Sequence, residues 1–208
     1  MKTDTLIFDI GSVLVYLDFP EALKQMGLSG RARKKILEVP PIPGFWEALD
    51  RGDISRDEGA RWFASYVPGD EEAAEYAIRH MTEYVNPIAR NVRFLRRAKA
   101  AGCRVFYLSN FQKENWEILW GQRADFFSEF DGGVVSWEAR CIKPDPAIYR
   151  MLMERYSIVP QHALFFDDRE ANTQAARELG FQTITLPPGT DIFEKAAALG
   201  LRLTDAEK

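Results

Sequence analysis

Short apolar runs that stop abruptly at polar residues restrict this chain more than any other feature. Thr5-Leu6-Ile7-Phe8 ends at Asp9, and Arg104-Val105-Phe106-Tyr107-Leu108 ends at Ser109-Asn110. Ala163-Leu164-Phe165-Phe166 ends at Asp167-Asp168, and residues 181–186 end at Pro187-Pro188-Gly189. Runs of this kind read as strands of a parallel sheet, buried on both faces, with polar residues at their carboxyl edge.

Helical spacing fills the intervals. Asn86-Pro87 predicts a helix start, with Ile88, Val92, Leu95 and Ala98 on one face and a stop near Gly102. Asp145-Pro146 opens a second helix carrying Ile148, Tyr149, Leu152 and Met153. A third, from about Glu170, stops before Gly180, and a last one covers residues 190–199 before Gly200. This alternation predicts an α/β fold, a doubly wound parallel-sheet Rossmann-like core.

Residues 19–83 interrupt it. They hold no strand-like run. Ser55-Arg56-Asp57-Glu58 is a capping box ahead of Ala60, Trp62, Phe63 and Tyr66. Pro40-Pro41-Ile42-Pro43-Gly44 is a rigid turn, and Asp70 starts a helix that runs through Tyr84. The expectation is a small all-α cap at residues 19–83, inserted after the first strand into a core of residues 1–18 and 84–208. The aromatic residues Phe45, Trp46, Trp62, Phe63 and Tyr66 are expected mainly to form its hydrophobic centre. One or two of Trp46, Asp50 and Arg51 are expected to face the core. The tail after Leu203 reads as frayed.

A length of 208 residues suffices for one full core plus such an appendage. A net charge of −4 provides no basic field, which argues against nucleic acid as a main partner. No apolar stretch approaches the ~20 residues of a membrane span, and the N-terminus does not read as a signal peptide. Cys103 and Cys141 lie too far apart in sequence for a metal cluster or disulfide framework and read as reduced thiols. His80 and His162 are too few for a histidine metal site. A cytoplasmic protein is expected, monomer or homodimer, without membrane or nucleic-acid partners.

Ligands of open parallel sheets bind at the carboxyl edge of the strands. Asp9, Ser109, Asn110, Asp167 and Asp168 belong there, and Lys143, just ahead of a helix, can reach it. Asp9, Ser109-Asn110 and Lys143 are each, alone, ordinary turn or loop residues, whereas the adjacent carboxylates Asp167-Asp168 at a buried edge are costly without a purpose. Together, three acids, a hydroxyl and an ammonium, without histidine or thiol, point to phosphoryl transfer. Asp9 and Asp168 can hold Mg²⁺, a hard cation that takes oxygen ligands. The cation relieves repulsion among the acids and keeps Asp9 ionised for attack on phosphorus. Lys143 balances charge, while Ser109 and the N–H groups after Asp9 hold phosphoryl oxygens. A small phosphorylated substrate follows.

In the order and spacing of these segments the chain resembles the haloacid dehalogenase superfamily. The segments are Phe8-Asp9-Ile10-Gly11-Ser12-Val13, Leu108-Ser109-Asn110, Lys143-Pro144-Asp145-Pro146-Ala147-Ile148-Tyr149 and Phe165-Phe166-Asp167-Asp168. The resemblance spans nearly the whole chain. It looks closest to the small-capped phosphatases that include bacterial α-D-glucose-1-phosphate phosphatases, which also read Asp-x-Gly in the first motif. Arg51-Gly52-Asp53-Ile54-Ser55 resembles that branch too. The resemblance implies that Asp9 is nucleophile and metal ligand, and that Gly11 gives its carbonyl to Mg²⁺. It implies that Ser109 and Asn110 contact the phosphoryl group and that Lys143 neutralises charge. Asp168 is then a direct metal ligand, Asp167 acts through water, and Asn172 supports them from behind.

Two departures stand out. Gly11 replaces the second Asp that normally protonates the leaving alcohol and later activates water, help worth ~10²–10⁴ in rate. Good leaving groups, such as the anomeric oxygen of a sugar 1-phosphate, are then favoured, unless water or Asp50 or Asp53 supplies the proton. Arg140 stands where a Gly is usual, altering the loop or adding positive charge near the phosphate. A carbon–halogen hydrolase using Asp9, such as a 2-haloacid dehalogenase, also tolerates Gly11. A non-catalytic binding protein of this fold is the third reading.

Overall fold

The computed structural model describes residues 3–203, and the expected fraying after Leu203 lies outside them. The chain begins with β1 (Thr5–Phe8) and β2 (Val15–Tyr16). A helical insert follows: α1 (Phe19–Gln25), α2 (Gly30–Leu37), α3 (Phe45–Arg51), α4 (Arg56–Ala64) and α5 (Glu71–His80). Next come β3 (Asn86–Pro87), α6 (Ala89–Ala100), β4 (Arg104–Ser109), α7 (Lys113–Gln122), α8 (Ala124–Phe127), β5 (Gly132–Val135) and α9 (Ser136–Ala139). The chain closes with α10 (Pro146–Tyr156), β6 (Ala163–Asp167), α11 (Glu170–Glu178), β7 (Gln182–Thr185) and α12 (Ile192–Ala198).

The main sheet has the order β5-β4-β1-β6-β7, with every pairing parallel. Side chains alternate across it. Leu6 and Phe8 enter one cluster with Phe94 and Leu95 of α6, Leu119 of α7 and Phe193 of α12. Ile7 enters the other, with Phe106, Phe165 and, from α10, Ile148, Tyr149 and Leu152. Phe8 stacks on Phe166 at 4.9 Å. Burying each such side chain is worth roughly 1.5–3 kcal/mol, so β1 prefers the centre, covered on both faces. The doubly wound parallel core and the all-α insert after the first strand are as the sequence implies.

Three elements differ. Asn86-Pro87 is not a helix start but a short antiparallel strand against Tyr16 and Val15, so the chain leaves and re-enters the core side by side. The helix begins at Ala89. The helix expected to run from Asp70 through Tyr84 ends at His80 and tightens into a 3₁₀ turn at Met81–Tyr84. Strand β5 (Gly132-Gly133-Val134-Val135) carries no strand signal in the sequence, because it is half glycine. Both glycines are needed: a Cβ on Gly133 would stand 2.3 Å from Tyr107 Cδ2, and one on Gly132 would stand 2.5 Å from the Tyr156 hydroxyl oxygen.

The insert has its own apolar cluster, including Leu23, Ile36, Phe45, Leu49, Phe63 and Ile78. Of its aromatic residues, Phe45 and Phe63 are buried and Trp62 packs beside them, whereas Trp46 and Tyr66 are exposed. The Ser55–Glu58 capping box is formed reciprocally.

Candidate active site

Because β4 and β6 flank β1, their last residues fall beside Asp9. Asp9 Oδ1 accepts from Ser109 Oγ at 2.7 Å and from the Ile10 N–H at 2.7 Å. The Lys143 ammonium lies 3.1 Å from the same oxygen. Among the described residues no hydrogen-bond donor reaches Asp9 Oδ2. Lys143 Nζ also donates to Asp167 Oδ2 at 2.6 Å and to the Leu108 carbonyl at 2.8 Å. Asp167 is fully buried, and its Oδ1 accepts from Asn172 Nδ2 at 2.9 Å and the Arg169 N–H at 2.9 Å. Asn172 is fixed in turn: its carbonyl accepts from the Tyr149 hydroxyl at 2.9 Å.

Burial shapes the charges. It is the largest influence on Asp9 and pushes its carboxyl up to about 7; Lys143 opposes that shift and Asp167 adds to it. Burial also works against the Lys143 ammonium, but Asp167 and Asp9 outweigh it and hold the group above its ordinary range. The half-buried Asp168 is raised by burial and then by Asp167. Carboxylates this crowded favour a cation.

The residues fit one. Asp9, Asp167 and Asp168 each offer an oxygen within 4.8 Å of the others, a hard-ligand set suited to Mg²⁺. Asn172 Oδ1 is buried there without a partner among the described residues, an acceptor suited to a water on such a cation. Gly11 follows Asp9 in the same loop, bridged to Val15.

Several expected residues play different parts. The Asn110 side chain engages the backbone of the lysine loop. Its Nδ2 donates to the Lys143 carbonyl at 3.0 Å and its Oδ1 accepts from the Lys143 N–H at 2.8 Å, so the amide braces the lysine loop. Arg140 reaches across to the insert. It adopts the left-handed conformation (φ 56°), donates to the Gly52 carbonyl and lies 3.5 Å from Asp53, tying the insert to the core. Asp53 is exposed and pairs with Arg51 at 2.7 Å.

Asp50, at the end of α3, lies within electrostatic reach of Asp9 and Lys143. With Trp46, Arg56, Asn110, Asn115 and Arg169 it lines a cavity of about 390 Å³ between insert and core. A larger open hollow of about 580 Å³, near Tyr16, Asp18 and Pro188, includes neither Asp50 nor Asn110. Asp50 is partly accessible to solvent, yet protein crowds it. Burial first and the Asp9 charge second push its carboxyl up to about 7, against Lys143 and Arg169, with Glu47 adding. Its carbonyl accepts from the buried Ser136 hydroxyl at 2.5 Å, and Ser136 Oγ accepts from the Phe111 N–H at 2.9 Å. Ser136, which follows the glycine-rich β5, bears no signal in the sequence; Arg169 bears only the weak one of following Asp168.

Fold and site together are those of an α/β enzyme working at a carboxylate-lined sheet edge. The chain belongs to the haloacid dehalogenase-like hydrolases, whose family model matches residues 3–180. It is 24% identical to a D-ribitol-5-phosphate phosphatase of Bacteroides thetaiotaomicron, over 89% of this chain and 93% of that protein. It is 27% identical to a sesquiterpene phosphatase of Aspergillus oryzae, over 84% and 85%. A drimenol cyclase of Aspergillus calidoustus is 26% identical over 98% of the chain, which spans only 39% of that protein's length. Two solved structures share the fold. A Bacteroides thetaiotaomicron enzyme of the family, in complex with magnesium and inorganic phosphate, superposes with a TM-score of 0.71 at 23% identity (92% and 98% coverage). An L-2-haloacid dehalogenase from Xanthobacter autotrophicus gives 0.64 at 18% (99% and 85%).

Proposed function

We propose that this chain is a Mg²⁺-dependent phosphatase of small phosphorylated metabolites, sugar phosphates and sugar 1-phosphates among them, working through an aspartyl-phosphate on Asp9. One observation carries the reading: among the described residues no donor engages Asp9 Oδ2, while Ser109, Ile10 and Lys143 fix Oδ1, beside two further acids. Oδ2 then points its lone pair at phosphorus without having to shed a hydrogen bond. Lys143 keeps Asp9 and Asp167 neutralised as the phosphoryl group arrives, and positioning of this kind is most of what phosphoryl transfer needs. Asn110 contacts the phosphoryl group through its backbone, since its side chain is spent on Lys143. Asp9, Asp168 and the Gly11 carbonyl would hold Mg²⁺, with Asp167 acting through water, and the cation would offset the charge on the phosphoryl oxygens. Residues 19–83 act as a cap over the core of 1–18 and 84–208, excluding water from the reacting centre. The two relatives named as phosphatases, each matched along most of its length, support this reading.

Gly11 is compatible with a second reading, the 2-haloacid dehalogenase, which needs neither a second acid in the first motif nor Mg²⁺. Hydrolysis of p-nitrophenyl phosphate with and without Mg²⁺ separates the two. Turnover is expected with Mg²⁺ and lost on chelation, and Asp9→Asn lowers it by more than about 10³-fold while leaving the melting curve cooperative. Turnover of a 2-haloacid without metal, with none of the phosphate ester, overturns the phosphatase. Inactivity on both supports a non-catalytic binding protein.

A further inference from the structure

Position 11 cannot supply the proton that a departing alkoxide needs, and the structure shows what occupies the space. A Cβ built on Gly11 would stand 2.6 Å from Leu17 Cδ1, so Leu17 fills the place of a side chain there. Leu17 also lines the cavity between insert and core, and so does Asp50 on the other element. Asn110 and Arg169, the residues after Ser109 and Asp168, belong to the same lining. The cavity therefore adjoins the phosphoryl site, and the part of a substrate that departs from phosphorus has this volume to enter. Asp50 is its acid nearest in character to the missing one: enclosed, and within electrostatic reach of both Asp9 and Lys143.

The placement is fixed rather than incidental. The Asp50 carbonyl is held by Ser136 at the end of β5, and two residues on, the Gly52 carbonyl is held by Arg140. The end of α3 is thus pinned to the core at two points, which suits a group that must meet a substrate atom.

We propose that Asp50 of the insert is the general acid and base of this enzyme, in place of a side chain at Gly11. The proposal rests on the phosphatase reading. Asp9 Oδ2 bonds to phosphorus, the bond from phosphorus to the ester oxygen breaks, and its electron pair stays on that oxygen. The oxygen takes the proton of the Asp50 carboxyl and leaves as the alcohol. Asp50, now a carboxylate, takes a proton from water as that water bonds to phosphorus. The bond from phosphorus to Asp9 breaks, and Asp9 and Asp50 return to their starting states with phosphate released. With Asp50 in this role, unactivated alkyl phosphates become substrates, and the preference for good leaving groups expected from Gly11 disappears.

The test compares wild type, Asp50→Asn, Asp50→Glu and Asp9→Asn on p-nitrophenyl phosphate and on an alkyl phosphate, glycerol phosphate, with rapid-mixing kinetics and Mg²⁺ present. Nitrophenolate leaves without a proton. Asp50→Asn is therefore expected to keep a fast stoichiometric burst of nitrophenolate, followed by slow turnover as phosphoenzyme accumulates. On the alkyl ester it loses about 10²–10⁴-fold in phosphoenzyme formation, and Asp50→Glu restores part of that. An equal loss of the burst and of alkyl ester cleavage would mean that Asp50 acts only structurally and overturns the proposal, as would unchanged kinetics on both. If wild type forms no phosphoenzyme, or Asp9→Asn stays active, the phosphatase reading itself fails and the proposal falls with it. Active wild type, dead Asp9→Asn and normal Asp50→Asn sink the proposal alone.

Discussion

Lys143 is an ammonium taken out of water, and two carboxylates and a carbonyl stand in for its hydration. Its loss leaves Asp9 and Asp167 facing each other without a counter-charge, and removing one partner of a buried pair commonly costs about 3–5 kcal/mol. Lys143→Met is therefore expected to lower the unfolding free energy by an amount of that order, read as a lower urea midpoint at unchanged slope, and Mg²⁺ should raise the variant's midpoint more than the wild type's, because the cation supplies the missing charge. An equal Mg²⁺ response in both proteins would contradict the idea that metal and lysine relieve the same repulsion. Asp9, Lys143 and the Asp167-Asp168 pair are legible in the sequence because a charge set against a buried strand end needs a partner at the sheet edge. Asp50 is not legible in that way. It is legible only as one candidate beside Trp46, Arg51 and Asp53, and the clamp of its carbonyl by Ser136 exists only in the tertiary structure. Asn110 was visible as a residue but not as a brace, since its partner is the backbone of a loop distant in sequence.

Among the elements, strands with an unbroken apolar run could be read from the chain and β5 could not. Its identity lies in what its neighbours require. Tyr107 of β4 occupies the space over Gly133, and Tyr156 of α10 both receives the Gly133 N–H at 3.0 Å and donates to its carbonyl at 3.1 Å. Gly133→Ala drives a methyl group into the Tyr107 ring and close to the Tyr107 carbonyl, at 2.3 and 2.5 Å, and one contact is backbone, so a rotamer change does not relieve it. The expected cost is about 1–3 kcal/mol, the range for overpacking, read as a lower midpoint with an unchanged denaturant slope. A neutral variant would show that β5 is free to shift away from β4. The short β2–β3 pair escaped for a related reason: Asn86-Pro87 carries a helix-start signal, but the strand partner that overrides it lies on the far side of the insert.

For the whole molecule, the proposed site draws on the core, with its two apolar clusters, and on the insert, with a third, and in the proposed reaction their alignment decides whether Asp50 meets the substrate. Arg140 is one of the ties, and it holds a backbone conformation that costs a side-chain-bearing residue about 1–2 kcal/mol. Glycine at this position would fold more easily, so the arginine sacrifices local stability for the link to Gly52 and Asp53. Arg140→Gly and Arg140→Ala separate the two effects, since both remove the link and only glycine relieves the strain. Arg140→Gly is expected to melt close to wild type, because lost hydrogen bonds to a largely exposed guanidinium and the gain in backbone freedom offset each other. Arg140→Ala is expected to be less stable than Arg140→Gly by about 1 kcal/mol. Activity should not follow stability. Both variants should lose roughly 5-fold in kcat/KM on an alkyl phosphate, the equivalent of about 1 kcal/mol of alignment at the transition state. If kcat/KM instead tracked the melting temperature, with Arg140→Gly fully active, the tie would serve folding alone and the insert would keep its position over Asp9 without it.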